Sequence, residues 1–140
     1  MQSNAMGSAL NQFQRPQLAT PFVVISALTA FLILVQALLA GRGLYVDHDL
    51  FDIHEIVANL LFLAVVAQAA LVIALGVPRG PLRTQLLTVN ALLVILVIAQ
   101  IGLGYGMREN SEAGAWHIAN GVLLFGLAAF HLSFLPRLRR

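Results

Sequence analysis

The sequence contains no cysteine and no lysine, and charged residues occupy only 10% of its 140 positions. Without cysteine the chain forms no disulfide, thiolate metal site, iron–sulfur cluster or covalent c-type haem linkage, so a redox role would need a non-covalently bound cofactor. Soluble domains carry about 25% charged residues, and the composition excludes that class. No phosphate-binding loop or Ser/His/Asp arrangement supports nucleotide use or hydrolysis.

Hydrophobic residues make up 59% of the chain, and four segments contain no charged residue: 17–41, 56–78, 84–107 and 113–136. A helix needs about 20 residues to cross the hydrocarbon core, and each segment is long enough. The prolines lie at or near the segment ends, where they do not interrupt a helix. We therefore predict an all-α, integral membrane four-helix bundle with helices at 21–40, 51–75, 81–104 and 113–135.

The segments outside this bundle are short. We interpret residues 1–5 as an expression scar before a native Met6, and residues 6–20 as a cytoplasmic N-terminal segment. The four-span domain would cover 21–136, with 137–140 as a basic cytoplasmic tail.

Charge is distributed unequally between the two sides of the predicted bundle. Six of the eight arginines flank one side, namely Arg15, Arg79, Arg83, Arg137, Arg139 and Arg140. All six acidic residues flank the other side, namely Asp47, Asp49, Asp52, Glu55, Glu109 and Glu112. By the positive-inside rule both termini are cytoplasmic, and the arginines are topology signals that indicate no nucleic-acid partner. We expect a protein of the bacterial cytoplasmic membrane.

The two predicted hairpins resemble each other. His54 and His117 are 63 positions apart, each near the start of an even-numbered helix and each followed eight positions later by phenylalanine. Gln36 and Gln100 are 64 positions apart, near the ends of the odd-numbered helices. Duplicated hairpins of one orientation pack around an axis along the membrane normal. The pattern therefore predicts an internal repeat with both histidines at one depth.

Two facing histidines in a bundle core suit a b-type haem, because neutral imidazole binds haem iron and facing helices accommodate cofactors. His54 and His117 would be its axial iron ligands, and electron transfer or haem handling its use. Arg42 and Arg108, the two arginines on the acidic side, would pair with the propionates. Gln36 and Gln100 are candidate cofactor contacts because they repeat at the depth of the histidines. Alternatively, both histidines are interfacial side chains whose polar ends stay in contact with water.

Uncharged polar residues inside the spans are expected to face the bundle, where they would form interhelical hydrogen bonds. They are Gln36, Asn59, Gln68, Asn90, Gln100 and Asn120. His131 and Gln68 occupy equivalent positions, 14 residues after His117 and His54, and are predicted to form a buried hydrogen-bonded pair. His48 and its neighbouring aspartates would form either a divalent-metal site or, as the favoured interpretation, a solvated loop.

The segment from Ala99-Gln-Ile-Gly-Leu-Gly104 to Trp116-His117-Ile-Ala-Asn120 resembles one four-helix half of the haem A synthase family. That resemblance covers nearly the whole chain from Pro21, and it implies ligand roles for His54 and His117. The chain departs from the family in having four spans instead of eight, only an approximate counterpart, Asp52, of the catalytic carboxylate, and no cysteine pair. It also resembles a group of small four-span bacterial membrane proteins, which implies no activity.

Three functions follow as hypotheses. The leading one is a non-catalytic, haem-binding membrane protein with a redox partner. The second is a cofactor-free structural or partner-binding subunit, with a homo-oligomer as one form. The third is a haem A synthase-like enzyme acting on a porphyrin or quinone, with Asp52 or Glu55 transferring protons.

Overall fold

A computed structural model describes residues 14–139. Within this range the chain forms four long helices and no strand: α1 (Ala19–Tyr45), α2 (Leu50–Leu75), α3 (Pro81–Gly106) and α4 (Ser111–Leu132). Short 3-10 helices precede α1 at Pro16–Leu18 and follow α4 at Leu135–Arg139. The prediction of four helices is confirmed. Residues 1–13 and 140, which include all of the interpreted scar and residues 6–13 of the N-terminal segment, lie outside the described residues.

The helices form a four-helix bundle. α1 packs against α2 and α3 against α4, and the hairpins meet where α2 contacts α3 and α1 contacts α4. The core consists mainly of aliphatic side chains, and Phe22, Leu75, Leu86 and Leu93 are fully buried within it.

The outer surface of the bundle is apolar as well. On this surface Ile73 is 71% exposed and Val122 is 70% exposed. All four helices are long and apolar enough to span a membrane. Because lipid solvates apolar side chains, an apolar exterior on such helices is consistent with an integral membrane protein.

The helix boundaries differ from the predicted ones at six of the eight ends, by one to five residues. α1 continues through Gly41 and Gly43 to Tyr45. The Phe51 ring packs against Gly43, where an added Cβ would lie 3.1 Å from that ring. α3 likewise extends to Gly106. α4 begins at Ser111, because the Asn110 side chain accepts a hydrogen bond from the Glu112 main-chain N–H and caps the helix.

The other helix ends follow from local sequence. α2 ends at Gly76, which has a left-handed φ of 65° that favours glycine. α3 starts at Pro81, whose missing N–H is not needed in the first turn. α4 stops at Leu132, and a 3-10 helix containing Pro136 follows in place of the predicted α-helical turn.

Candidate functional site

His54 and His117 lie beside each other at the end of the bundle where α1 joins α2 and α3 joins α4. Their ring centroids are 6.3 Å apart and the ring planes are inclined by 57°. Both side chains are half-buried. The fold therefore brings together two imidazoles from opposite hairpins.

Each imidazole is held by the main chain of the neighbouring helix in its hairpin. His54 Nδ1 lies 3.2 Å from the carbonyl oxygen of Gln36, and His117 Nδ1 lies 3.0 Å from that of Gln100. A carbonyl oxygen only accepts hydrogen bonds, so Nδ1 must carry the proton in both rings. In the neutral rings Nε2 then has the free lone pair, which is the atom available to a metal.

The two glutamine side chains also bind the neighbouring helix of their own hairpin. Gln36 Nε2 donates to the main-chain oxygen of His54 at 2.9 Å. Gln100 Oε1 accepts from Asn120 Nδ2 at 2.7 Å, and the same Asn120 group donates to the Leu96 carbonyl at 2.9 Å. Gln36 and Gln100, predicted as cofactor contacts, therefore anchor the histidine-bearing helices.

Small residues let the His117 ring approach α3. Gly104 lies one turn after Gln100, and a Cβ at this position would be 3.1 Å from His117 Cε1. The corresponding residue after Gln36 is Ala40, which is also small. Close contact between the His117 ring and α3 thus depends on the absence of a side chain at Gly104.

The two arginines predicted to meet propionates lie at the same end of the bundle as the histidines, in different environments. Arg108 forms an ion pair with Glu55, with 3.0 Å between the guanidinium nitrogen and Oε2, and it stacks over the Tyr105 ring at 5.1 Å. Tyr105 donates a hydrogen bond to the other Glu55 oxygen at 2.9 Å. Arg42 is exposed near the end of α1. Glu55 is therefore part of a cluster that joins α2 to the end of α3.

Aromatic contacts link the first interhelical loop to the histidines. The His48 and Phe51 centroids are 5.0 Å apart, and those of Phe51 and His54 are 6.3 Å apart, both pairs meeting edge to face. The aspartates beside His48 make a local contact only, from Asp49 N to Asp47 Oδ1 at 3.1 Å. No group of three His, Asp or Glu side chains placed to hold a metal ion occurs in residues 14–139.

The predicted pairing of His131 with Gln68 is wrong. His131 Nε2 instead lies 3.2 Å from Ser26 Oγ on α1, and Gln68 Nε2 donates to Asn90 Oδ1 on α3 at 2.8 Å. Helical periodicity placed both residues in the core correctly. The periodicity did not show which helix each residue contacts. Gln68 on α2 faces α3 and His131 on α4 faces α1, so the two side chains do not meet.

The expectation for Asn59 is also wrong. Its side chain is exposed, and Nδ2 donates to the Glu55 carbonyl one turn earlier in the same helix at 3.1 Å. A polar side chain on a helix satisfies its hydrogen bonds in this way without reaching a neighbouring helix. Asn59 therefore takes no part in the bundle interior.

Sequence analysis missed the Ser26 contact and the Glu55 cluster. Ser26 precedes Asn90 by 64 positions, which is also the spacing of Gln36 and Gln100. That spacing would have identified Ser26 as the equivalent of Asn90 and so as a core residue. Glu55 gave no such signal, because its partners lie at the far end of α3. Comparison of the chain with protein-family models, curated proteins and solved structures gave no match.

Proposed function

We propose that the chain binds one b-type haem between His54 and His117 and serves in electron transfer or haem handling. The observation that carries this proposal is the pair of imidazoles, 6.3 Å apart, each with Nδ1 tied to a main-chain carbonyl. Hydrogen bonds of this kind fix the tautomer and orientation of metal-binding histidines.

The distance between the rings suits a metal bound by both. Metal–imidazole bonds measure about 2.0–2.1 Å, so two imidazoles on opposite sides of one metal have centroids roughly 6 Å apart. The observed 6.3 Å agrees with that value. The donor set also fits, because two neutral imidazole nitrogens would hold a low-spin haem iron.

The surroundings of the histidines favour a flat, partly apolar ligand. Phe51 contacts His54 edge to face, and Gly104 keeps α3 close to His117 without a side chain between them. Arg108 and Arg42 are the cations at this end that would receive the propionates. Arg108 forms an ion pair with Glu55, so a propionate would compete with this carboxylate for the guanidinium.

When bound, the haem would supply one-electron redox chemistry. The residues of the chain would hold it in place. Main-chain carbonyls of Gln36 and Gln100 keep the proton on Nδ1 of each histidine, so Nε2 would be the atom that binds the iron.

We further propose that the hairpins are a duplicated unit and that both termini face the cytoplasm of a bacterial cell. Equivalent contacts support the duplication. The histidine–glutamine contacts recur at spacings of 63 and 64 positions, and so do the contacts of Ser26 with His131 and of Asn90 with Gln68. The arginine distribution supports the orientation.

A reduced-minus-oxidised visible spectrum tests the haem proposal. The protein would be expressed with a haem precursor and purified in detergent, and its haem would be counted as the pyridine haemochrome. We expect a low-spin b-type spectrum, near one haem per chain, that is lost in His54→Ala and His117→Ala. His48→Ala is the control, because His48 is exposed in the loop between α1 and α2 and should keep the spectrum.

The opposite result is equally clear. A colourless protein with normal helix content by circular dichroism, even after haem supplementation, would overturn the proposal. It would favour the cofactor-free structural or partner-binding subunit, in which both histidine variants fold and bind partners normally. Loss of helix content in a variant is separated from loss of haem by the same dichroism measurement.

A further inference from the structure

The half of the bundle away from the histidine pair contains buried polar side chains from all four helices. They are Ser26 and Thr29 on α1, Gln68 on α2, Asn90 on α3 and His131 on α4, and none is more than 2% exposed. We call this set the polar layer. Burying polar groups in a membrane-spanning bundle is unfavourable unless their hydrogen bonds are made.

The hydrogen-bond directions on the His131 side of the polar layer are fixed by donor counting. Ser26 has one hydroxyl hydrogen, and it donates to the Phe22 carbonyl at 2.8 Å. Its oxygen must therefore accept from His131 Nε2, 3.2 Å away, so Nε2 carries the ring proton. In the neutral ring Nδ1 is then a hydrogen-bond acceptor.

The hydrogen-bond directions on the Gln68 side of the polar layer are fixed in the same way. Asn90 Nδ2 donates to the Leu86 carbonyl at 2.7 Å, so Asn90 Oδ1 points to Gln68. That oxygen accepts from Gln68 Nε2 at 2.8 Å, and an amide flip of Gln68 would place two oxygens together. Gln68 Oε1 is therefore directed away from Asn90.

Three buried polar atoms in this layer have no hydrogen-bond partner within residues 14–139. They are Gln68 Oε1, His131 Nδ1 and Thr29 Oγ1. The first two are acceptors, and the third is a hydroxyl that can donate. Leaving a buried polar atom unpaired costs about 1–3 kcal/mol, so a bound group that pairs with these atoms would stabilise the fold.

We propose that a water molecule is bound in the polar layer, donating hydrogen bonds to Gln68 Oε1 and His131 Nδ1 and accepting one from the Thr29 hydroxyl. Water has two donors and can accept, which matches the three atoms, and buried waters typically make about three hydrogen bonds. A metal cation fits less well, because the layer contains no carboxylate to offset the cost of burying its charge.

Substitution of Thr29 separates a hydrated layer from a dry one. Thr29→Val removes the hydroxyl at nearly constant shape. If the hydroxyl binds water, the unfolding equilibrium constant in mixed micelles should rise roughly five- to tenfold. If the hydroxyl is simply unsatisfied, the variant should be as stable as the parent or more so, which would overturn the proposal. Thr88→Val is the control, because Thr88 is exposed on α3.

A spectroscopic measurement covers the case in which Thr29→Val packs poorly. In protein labelled with ¹⁵N-histidine, the His131 signals are assigned by their loss in His131→Leu. We expect a neutral ring with its proton on Nε2, and magnetisation transfer from water to His131 that weakens in Thr29→Val. A proton on Nδ1, or no transfer from water in the parent protein, would overturn the proposal.

A salt exchange tests for a cation in place of water. Replacing sodium and potassium by choline should leave the stability unchanged, and a loss of stability in choline would show that a cation fills the layer. None of these measurements requires haem, so their outcome is independent of the function proposed above.

Discussion

His54 and Gln36 hydrogen-bond each other in both directions: the His54 ring donates to the Gln36 carbonyl, and the Gln36 side-chain amide donates to the His54 carbonyl. The two contacts together fix the rotation of α2 relative to α1 at the depth of the site. The His54 ring contacts the main chain of Gln36, whereas the second hydrogen bond comes from the Gln36 side chain. A substitution at position 36 therefore removes only the second contact.

Gln36→Leu should therefore keep the histidine in place while weakening the hairpin. It removes the amide contact but leaves the main-chain carbonyl that holds the ring. We expect the free energy of unfolding to fall by about 0.5–1 kcal/mol, with the haem spectrum retained. A variant that loses the haem spectrum but keeps the parent's stability would instead show that the Gln36 side chain contacts the cofactor.

Gly104→Ala should displace His117 and lower haem affinity. An added Cβ would lie 3.1 Å from His117 Cε1 and 3.4 Å from Nδ1, so the ring must shift by a few tenths of an ångström from the position in which Nδ1 contacts the Gln100 carbonyl. Gly102→Ala is a matched control on the same helix, with no atom within 4 Å of the added Cβ. Both changes favour the helix by up to about 1 kcal/mol. Haem titration of the two variants should differ, and equal affinities would contradict this account of Gly104.

Glu55→Gln should raise haem affinity. The substitution removes the carboxylate that holds Arg108 and leaves the guanidinium available to a propionate. The Arg108–Glu55 pair is substantially exposed, so the gain should be a few-fold and should shrink at high salt. Glu109→Gln is the control for net charge, because Glu109 is exposed in the loop between α3 and α4. Weaker haem binding in Glu55→Gln alone would mean that the carboxylate itself supports the site.

Gly76→Ala should destabilise the fold without affecting the haem site. Gly76 has φ of 65°, and an added Cβ would lie 2.7 Å from the Gln14 side chain. We expect the free energy of unfolding to fall by about 1 kcal/mol or more. Gly126→Ala, a helical position with open space, should leave stability unchanged or raise it. Chemical unfolding in mixed micelles compares the two variants, and equal stabilities would contradict the strained conformation.

The number and position of the helices could be predicted because charge-free runs of membrane-spanning length leave few alternatives. The meeting of His54 with His117 could be predicted from their matched positions in similar hairpins. The partners of His131 and Arg108 could not. A 3.6-residue period shows which face of a helix is buried, but the rotation of one helix against the next depends on packing that the period does not contain.

The contacts that join the two hairpins differ at the two ends of the bundle. In the polar layer the hairpins are joined by buried bonds, Ser26 to His131 and Gln68 to Asn90. Near the histidines they are joined by Glu55 with Arg108 and Tyr105, which water can reach. The hairpins are therefore joined at one end by hydrogen bonds that solvent does not reach and at the histidine end by exposed charged contacts. Salt and water weaken exposed charged contacts, so the junction between the hairpins is weaker at the histidine end.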